Sequence, residues 1–342
     1  MDIRPFIGIE AAEGELRQAH ALFIELVSGG HPGFPVPTFE AYKQRWHRPT
    51  NLFGRLHAFA AWEGPRLVGL ASAVYPEHEN LEYCMAEITV TADMRRRGIA
   101  TALSRPLVLD AQAERRRIIG VSTIRRGSAA QAMLLSLGFT SALEHEWNLL
   151  DFEGADPASW NVPVPAGFRI AHWQRSAPES LIAEYAAARN AIHDMPAGAL
   201  SYEQPQWTVD RVRLEEAEAV DRGEERWTVA AVVEATGKVS GSSTIVFMPG
   251  REEICWQLDT AVVHEFRGHG LGRAMKAAMI RRLRSERPGI RFVSTGNAGD
   301  NVHMIRVNRK LGYALFAKVA NFEIEVAALA GRIGLAGAER QV

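Results

Sequence analysis

The sequence has few of the residues that define disulfide-rich or zinc-binding proteins. Only two of its 342 residues are cysteines, Cys84 and Cys255, too few for a disulfide framework or a four-ligand zinc site. We interpret both as buried thiols in a reducing compartment. The 11 histidines show no close spacing of the kind that binds zinc, so we expect no metal.

Long apolar runs and an excess of one charge are also missing. No run approaches the ~20 apolar residues that span a bilayer, and the first residues show no signal-peptide pattern. The 39 Lys and Arg nearly balance the 40 Asp and Glu, without the basic surplus typical of nucleic-acid or membrane binding. We expect a cytoplasmic protein with no nucleic-acid or membrane partner, either a monomer or a homodimer.

What is present is a repeat. Residues 86–103 read AEITVTADMRRRGIATAL, and residues 258–275 read LDTAVVHEFRGHGLGRAM. Arg95 aligns with Arg267, and residues 137–139 (LGF) match residues 311–313 (LGY) at almost the same offset. A length of 342 residues suits two domains. We predict two tandem domains of one fold, each a mixed α/β unit.

The predicted domain boundaries follow a proline-rich stretch. Residues 162–167 read VPVPAG, which favours an extended connector. We therefore predict an N-terminal domain over 1–150, a linker over 151–166, a C-terminal domain over 167–328 and a frayed tail over 329–342. Strand and helix patterns alternate within each domain. Predicted helices include 16–27, 99–117, 129–137, 180–191, 209–221, 271–284 and 302–311, and the last predicted strand is 316–326.

The loop after each repeated strand is suited to bind phosphate. In the second copy, Arg267-Gly268-His269-Gly270-Leu271-Gly272 opens a long helix. Glycines allow the backbone to turn sharply, and the free amides of a helix start attract anions. A Walker loop would need Gly-Lys-Ser/Thr, and a Rossmann loop a third glycine where Arg273 stands. A plain strand-to-helix turn is the alternative, but the duplication disfavours it.

These motifs resemble those of the GNAT family of N-acetyltransferases over nearly the whole chain. Motif A of the family, Gln/Arg-x-x-Gly-x-Gly/Ala, matches Arg95–Ala100 and Arg267–Gly272, and motif B matches Asn301–Tyr313. The chain further resembles tandem GNAT proteins of actinobacterial type through residues 194–196, 257–260 and 295–297. The resemblance implies two GNAT domains, each with a mixed, mostly antiparallel sheet flanked by helices.

The resemblance also implies which residues bind acetyl-CoA or another short acyl-CoA. The motif A loops would bind the pyrophosphate of the cofactor. The strands before these loops and the side chain of Asn301 would contact its pantetheine arm. In the second domain these residues are Thr260, Ala261, Val262, Arg267, Gly268, His269, Gly270, Leu271, Gly272 and Arg273. In the first domain they are Ile88, Thr89, Val90, Arg95, Arg96, Arg97, Gly98, Ile99, Ala100 and Thr101.

The catalytic assignments favour the second domain. Gly127 and Leu134 stand where that domain has Asn301 and Asn308, so the first has lost polar groups. Many GNAT enzymes have, at the position of Asn308, a tyrosine that protonates the leaving thiolate of CoA. The amide of Asn308 cannot donate a proton in this way. Asp259, or Glu87 in the first domain, is the candidate base for the acceptor amine. The alternative for both carboxylates is a role in ordering the loop.

The acceptor site is the least defined part of this interpretation. His193 and Asp194 lie in the segment that shapes it in this fold. Asp194 is the candidate to bind a cationic amine, and the alternative is that it caps the loop. The predicted function is an acyl-CoA-dependent N-acyltransferase that acetylates an amine of a small molecule by direct attack. Alternatives are a non-catalytic CoA-binding or scaffold protein and a protein lysine acetyltransferase.

Overall fold

A computed structural model describes residues 1–46, 50–51 and 54–335 of the chain. Contacts between residues divide it into two compact units, and neither is one continuous stretch. Unit 1 contains Met1–Glu144, Gly198–Glu203 and the described residues from Lys318 to Leu335. Unit 2 contains His145–Ala197 and Gln204–Ala317.

The strands and helices alternate along the chain. The strands are β1 (Asp2–Pro5), β2 (Thr50–Asn51), β3 (Gly54–Glu63), β4 (Arg66–Tyr75), β5 (Tyr83–Val90), β6 (Ile118–Arg125), β7 (Thr140–Asp151), β8 (Phe168–Gln174), β9 (Glu225–Val233), β10 (Val239–Phe247), β11 (Ile254–Val262), β12 (Phe292–Ala298) and β13 (Ala314–Glu325). The helices are α1 (Glu13–Gly30), α2 (Phe39–Trp46), α3 (Ile99–Ala113), α4 (Ala129–Ser136), α5 (Ile182–Arg189), α6 (Val209–Asp221), α7 (Leu271–Glu286), α8 (Val302–Lys310) and α9 (Val326–Arg332).

Unit 1 is built on a mostly antiparallel sheet in the order β1-β3-β4-β5-β6-β13, with β2 beside β3. The β5–β6 pair is parallel. Successive side chains of a strand point to opposite faces of the sheet, and in unit 1 both faces bury apolar residues. Leu103 of α3 and Leu329 of α9 belong to the apolar cluster on one face. Leu16 of α1 and Trp46 of α2 belong to the cluster on the other face, so helices flank the sheet on both sides.

Unit 2 repeats this plan with the order β7-β12-β11-β10-β9-β8. Its one parallel pair among these strands is β11–β12. Trp227 and Val229 of β9 pack with Met275 of α7 in one cluster. Ala230, on the opposite face of β9, packs with Tyr185 of α5. Both units therefore have the predicted mixed, mostly antiparallel sheet flanked by helices.

The order of elements matches the sequence prediction, but several boundaries differ. The helix predicted over 99–117 ends at Ala113, and α2 was not predicted. In place of a frayed tail at 329, α9 buries Leu329 and Ala330, while residues 336–342 lie outside the described part. The predicted linker includes Trp160, whose indole N–H donates to the Leu311 carbonyl at 3.0 Å.

The last strand differs most from the predicted boundaries. We expected residues 316–326 to form a strand of the second domain, but β13 pairs antiparallel with β6 of unit 1. In turn, the second half of β7 pairs with β12 of unit 2. Alternating apolar residues predict a strand but do not specify which sheet edge it joins. The sequence pattern therefore did not indicate that β13 joins unit 1, and the domain limits at 150 and 167 stay a prediction.

The two cysteines are free and buried, as the sequence indicated. Burial raises the pKa of the Cys84 thiol to about 12 and raises the pKa of Cys255 as well. Neither is a reactive thiolate at neutral pH. Within the described ranges, no helix combines the length and apolar character needed to cross a bilayer.

Candidate active site

The candidate active site of unit 2 lies where two parallel strands separate. β11 and β12 pair only through Ile254–Trp256 and Phe292–Ser294. Beyond that point β12 pairs only with β7 on its other side, and β11 continues to Val262 without β12. The edge of residues 257–262 therefore faces a gap, as expected for the strand that includes Thr260, Ala261 and Val262. Unpaired backbone groups on this edge can bind an extended ligand.

A β-bulge interrupts β11 within this gap. Ser243 pairs with Thr260 and Ile245 pairs with Gln257, so Leu258 and Asp259 together lie opposite Thr244. A bulge leaves one residue unpaired, bends the strand and redirects the side chain beside it. Here it places an extra backbone amide and the Asp259 carboxylate at the opening between the strands.

The loop after β11 presents a continuous row of free amides. Arg267 closes a short 3₁₀ turn by donating its N–H to His264. Among the described residues, no partner accepts from the six backbone amides of residues 268–273. Gly268 and Gly270 have φ of +84° and +80°, a region that L-residues avoid, and both face open space. The row ends on the first turn of α7, so it fits the pyrophosphate of CoA.

The arginine that begins each motif A does not point into this loop. Arg267 donates from Nε to the Val262 carbonyl at 3.0 Å and forms an ion pair with Asp194. Arg95 donates in the same way to Val90 at 3.1 Å and pairs with Glu25. We expected Arg95 and Arg267 among the pyrophosphate contacts, but their side chains and amides are used within the fold. Their role is to fix the strand end against the preceding helical segment.

Asp259 faces a recess on the side of the sheet opposite α7. The residues that line it are Trp173, Arg175, Tyr185, Arg189, Val212, Glu215, Glu216, Arg226, Thr228, Ser242, Thr244, Leu258, Asp259 and Ala261. The Asp259 side chain keeps 42% of its surface exposed within this recess. The surrounding protein removes bulk water, which raises the pKa of Asp259. A carboxylate with a raised pKa is better matched to proton abstraction near neutral pH.

Charged side chains next to Asp259 form a connected network. Arg189 pairs with Glu215 and lies 3.9 Å from Asp259, and its guanidinium stacks 3.2 Å from the ring centroid of Trp207. Glu215 also contacts Arg226 at 2.8 Å. Burial alone would raise the pKa of Glu215, but the two guanidinium groups lower it to about 2. The network therefore keeps Arg189 charged and held beside Asp259.

The two predicted acceptor residues are both occupied by protein groups. His193 Nε2 lies 3.1 Å from the Pro205 carbonyl, which ties down the segment after α5. The Asp194 carboxylate pairs with Arg267. Binding a cationic amine at Asp194 would require breaking that ion pair. The structure thus gives Asp194 a structural partner, and sequence reasoning missed it because the two residues are 73 positions apart.

The motif B asparagines differ from their predicted roles. Asn301 Oδ1 caps α8 by accepting from Met304 N at 3.1 Å. Ser128 caps α4 in the same way, so the first unit has not lost a polar group there. Asn308 is 1% exposed and donates to Asn297 Oδ1 at 2.5 Å. Asn308 is therefore enclosed, and direct contact with the thioester, as its catalytic assignment requires, would need it to be uncovered. Asn297, which is partly exposed, lies between it and the surface.

In unit 1 the corresponding strands β5 and β6 also separate, but β5 differs from β11 in having no bulge. β5 pairs with β6 only through Tyr83–Met85, which leaves the edge that includes Ile88, Thr89 and Val90 free. Glu87 is exposed and pairs regularly with Ser72, without a bulge. The loop amides of residues 96–101 are again without a partner in the described chain. Arg96 adopts φ +65° where unit 2 has Gly268, so the loop shape is kept at some conformational cost.

Comparison with known proteins agrees with this geometry. The sequence profile of the Acetyltransferase (GNAT) family matches residues 20–139 and 190–313. No curated protein sequence matches the chain. A tandem GNAT protein from the clavulanic acid biosynthesis pathway has a similar structure, with a TM-score of 0.78 and 22% identity over 95% of this chain and 98% of that one. An N-acetyltransferase from Sphaerobacter thermophilus gives 0.68 and 15% over 95% and 96%.

The chain therefore belongs to the GNAT acetyltransferase family, with two GNAT domains in tandem. It is an acetyltransferase, a class that uses acyl-CoA as the donor. At these identities the solved structures show a shared fold, and the acceptor has to be argued from this chain's own residues.

Proposed function

We propose that unit 2 transfers an acetyl group from acetyl-CoA to an amine of a small molecule by direct attack in a ternary complex. The observation that carries the proposal is the arrangement around Asp259. The free amides of residues 268–273 start α7, which packs on one face of the sheet. The recess with Asp259 opens on the other face. Donor and acceptor can thus reach the gap beside β11 together.

The chemistry assigns one task to each feature. The amides of residues 268–273 bind the pyrophosphate, and the free edge of β11 aligns the pantetheine arm. Asp259 accepts a proton from the acceptor ammonium, directly or through water, and the free amine attacks the thioester carbonyl. A backbone amide at the bulge stabilises the oxyanion. The carbon–sulfur bond then breaks, and CoA leaves as a thiolate, whose ordinary pKa of ~8–9 makes it a tolerable leaving group. The second proton of the attacking nitrogen passes to water or to the departing thiolate, which leaves a neutral amide.

Unit 1 is proposed to bind CoA without catalysing transfer. Its loop amides and separated strands are kept, but it lacks the bulge that distinguishes β11. This keeps the non-catalytic function as a proposal for one half of the chain.

The test is release of CoA thiol from acetyl-CoA with a panel of small amines. Initial rates that vary with both substrates should give intersecting double-reciprocal lines, as a ternary complex requires. Parallel lines would indicate a covalent acetyl-enzyme and contradict direct attack. A reaction without amine controls for thioester hydrolysis. Tight acetyl-CoA binding with no turnover on any amine would instead support a scaffold.

A further inference from the structure

The charges that line the recess of unit 2 are not equally paired. Six charged side chains line it with three of each sign: Arg175, Arg189, Arg226, Glu215, Glu216 and Asp259. Glu215 pairs with Arg189 and Arg226, and Arg226 also contacts Glu224 at 3.0 Å. Glu216 pairs with Arg213 at 2.7 Å. Most of these charges are therefore compensated by protein groups.

Two charges of the recess remain for a ligand. Within the described part of the chain, Asp259 has one charged neighbour in ion-pair range, Arg189 at 3.9 Å. Arg175 has no ion pair with any other described residue, and its side chain is exposed at the recess. One cation and one carboxylate on the wall of the same recess are complementary to a molecule that has both an amine and an anion.

The backbone at Arg175 supports a role for this side chain. Arg175 follows the end of β8 with φ +62°, in the left-handed region. Its amide donates to the Arg226 carbonyl at 2.8 Å, which fixes the residue against β9. A residue with a Cβ costs roughly 1–2 kcal/mol in this conformation, and glycine would avoid that cost. The chain nevertheless places there an arginine whose side chain forms no ion pair with any other described residue.

We propose that the acceptor of unit 2 is an amino acid or a similar amino carboxylate. Its carboxylate binds the Arg175 guanidinium, and its ammonium lies at Asp259, where it loses its proton before attack. A planar guanidinium binds a carboxylate through two parallel hydrogen bonds, which fixes orientation as well as charge. Trp173 and Tyr185 line the same recess and give it an apolar surface. This inference rests on the proposed function, because it names the substrate class of the same site.

The test compares amino acids with their own carboxamides as acceptors. CoA release is measured for a panel of the common amino acids and for the matching carboxamides. The carboxamides keep the amine and the side chain but lack the negative charge of the carboxylate. The wild-type protein should show a kcat/KM roughly 10- to 100-fold higher for the acid form. Arg175→Gln should remove that preference by raising the KM of the acid form towards that of the carboxamide.

Arg169→Gln is the matched control, because Arg169 is an exposed arginine of β8, the strand that Arg175 directly follows, and it does not line the recess. It should keep the preference for the acid form. Equal turnover of acids and carboxamides by the wild-type protein would overturn the inference and leave the proposed function standing. A preference that survives Arg175→Gln would also overturn it. No turnover with any amine would overturn both.

Discussion

The two units share one fold but present different surfaces around the same strands. Sheet register places Leu56, Ala58 and Leu70 of unit 1 where unit 2 has Arg226, Thr228 and Ser242. The wall that is charged and polar in unit 2 is therefore apolar in unit 1. In unit 1 it packs against the aromatic cluster that includes Trp46. The fold alone builds the separated strands and the loop, and the surface beside them decides whether an acceptor recess exists.

The bulge is the second difference, and it amounts to one residue. Cys84 and Cys255 occupy equivalent positions, since each is the middle residue of the short parallel ladder. Val90 and Val262 are equivalent farther along, because each pairs with the glycine of the preceding strand. Unit 2 has one more residue between these landmarks than unit 1. The extra residue is Leu258, which has no counterpart in β5.

The largest expected effect comes from the two equivalent carboxylates. Asp259→Asn should lower turnover by about 10²- to 10⁴-fold, because a general base typically contributes that much. Glu87→Gln should change turnover less than about twofold, since Glu87 is exposed on a strand without a bulge. Steady-state CoA release checks both variants, with circular dichroism to confirm folding. A larger loss from Glu87→Gln would place the active site in unit 1.

Removing the bulge should have the next largest effect. Deletion of Leu258 gives β11 the regular register of β5, so the sheet should still form. Loss of the bulge amide and displacement of Asp259 should reduce turnover by on the order of 10²-fold or more. Calorimetric binding of CoA should stay close to that of the wild-type protein. Full activity in the deletion variant would show that the bulge has no part in catalysis.

A third comparison concerns the two phosphate loops. Gly270→Asp places a negative charge in open space in front of the free amides, and CoA affinity of unit 2 should fall by about 100-fold. Gly98→Asp should do the same in unit 1. The matched controls are the alanine variants, which share the strain of φ near +80° but add no charge. Calorimetry should show two sites in the wild-type protein and one in each Asp variant; unchanged stoichiometry would contradict the assignment.

The last comparison concerns the apolar cores of the two units, and its expected effect is on stability rather than on activity. Lys276 of α7 is 1% exposed, with its ammonium 4.8 Å from the ring centroid of Tyr313, where the equivalent position of α3 is Ser104. Burial lowers the pKa of Lys276 from 10.5 to about 7. The unfolded chain therefore takes up a proton that the folded protein excludes, so stability falls as the pH drops from 10.5 to 7 and levels off below.

Replacing this lysine should remove that loss. Lys276→Met should raise the free energy of unfolding by up to about 5 kcal/mol below pH 7, at 1.36 kcal/mol per pKa unit, and by little above pH 10.5. Urea titrations at pH 6 and pH 9 measure the difference. Ser104→Met is the control in unit 1, and it should show no such pH dependence. An equal effect of Lys276→Met at both pH values would mean that Lys276 is charged in the folded protein.

Much of the fold and part of the site could be predicted from the sequence. The repeat, the helices that follow each motif A loop and the glycine positions are local patterns, and the structure contains them. The Asp194–Arg267 pair and the enclosure of Asn308 depend on contacts between distant residues, so no spacing indicates them. The bulge is hidden in a one-residue change of offset. Arg175 looks like any surface arginine until the recess beside it is known.

The pairing of β13 with β6 has a consequence for synthesis of the chain. A nascent chain emerging from the ribosome cannot complete the sheet of unit 1 until residues 318–325 have been translated. Until then Leu103 and Phe139 lack the cover that Phe322 and Leu329 provide, and the edge of β6 stays open. Such long-range closure slows folding and leaves an intermediate prone to aggregation. A fragment that stops at residue 150 is thus expected to need a chaperone to remain dispersed.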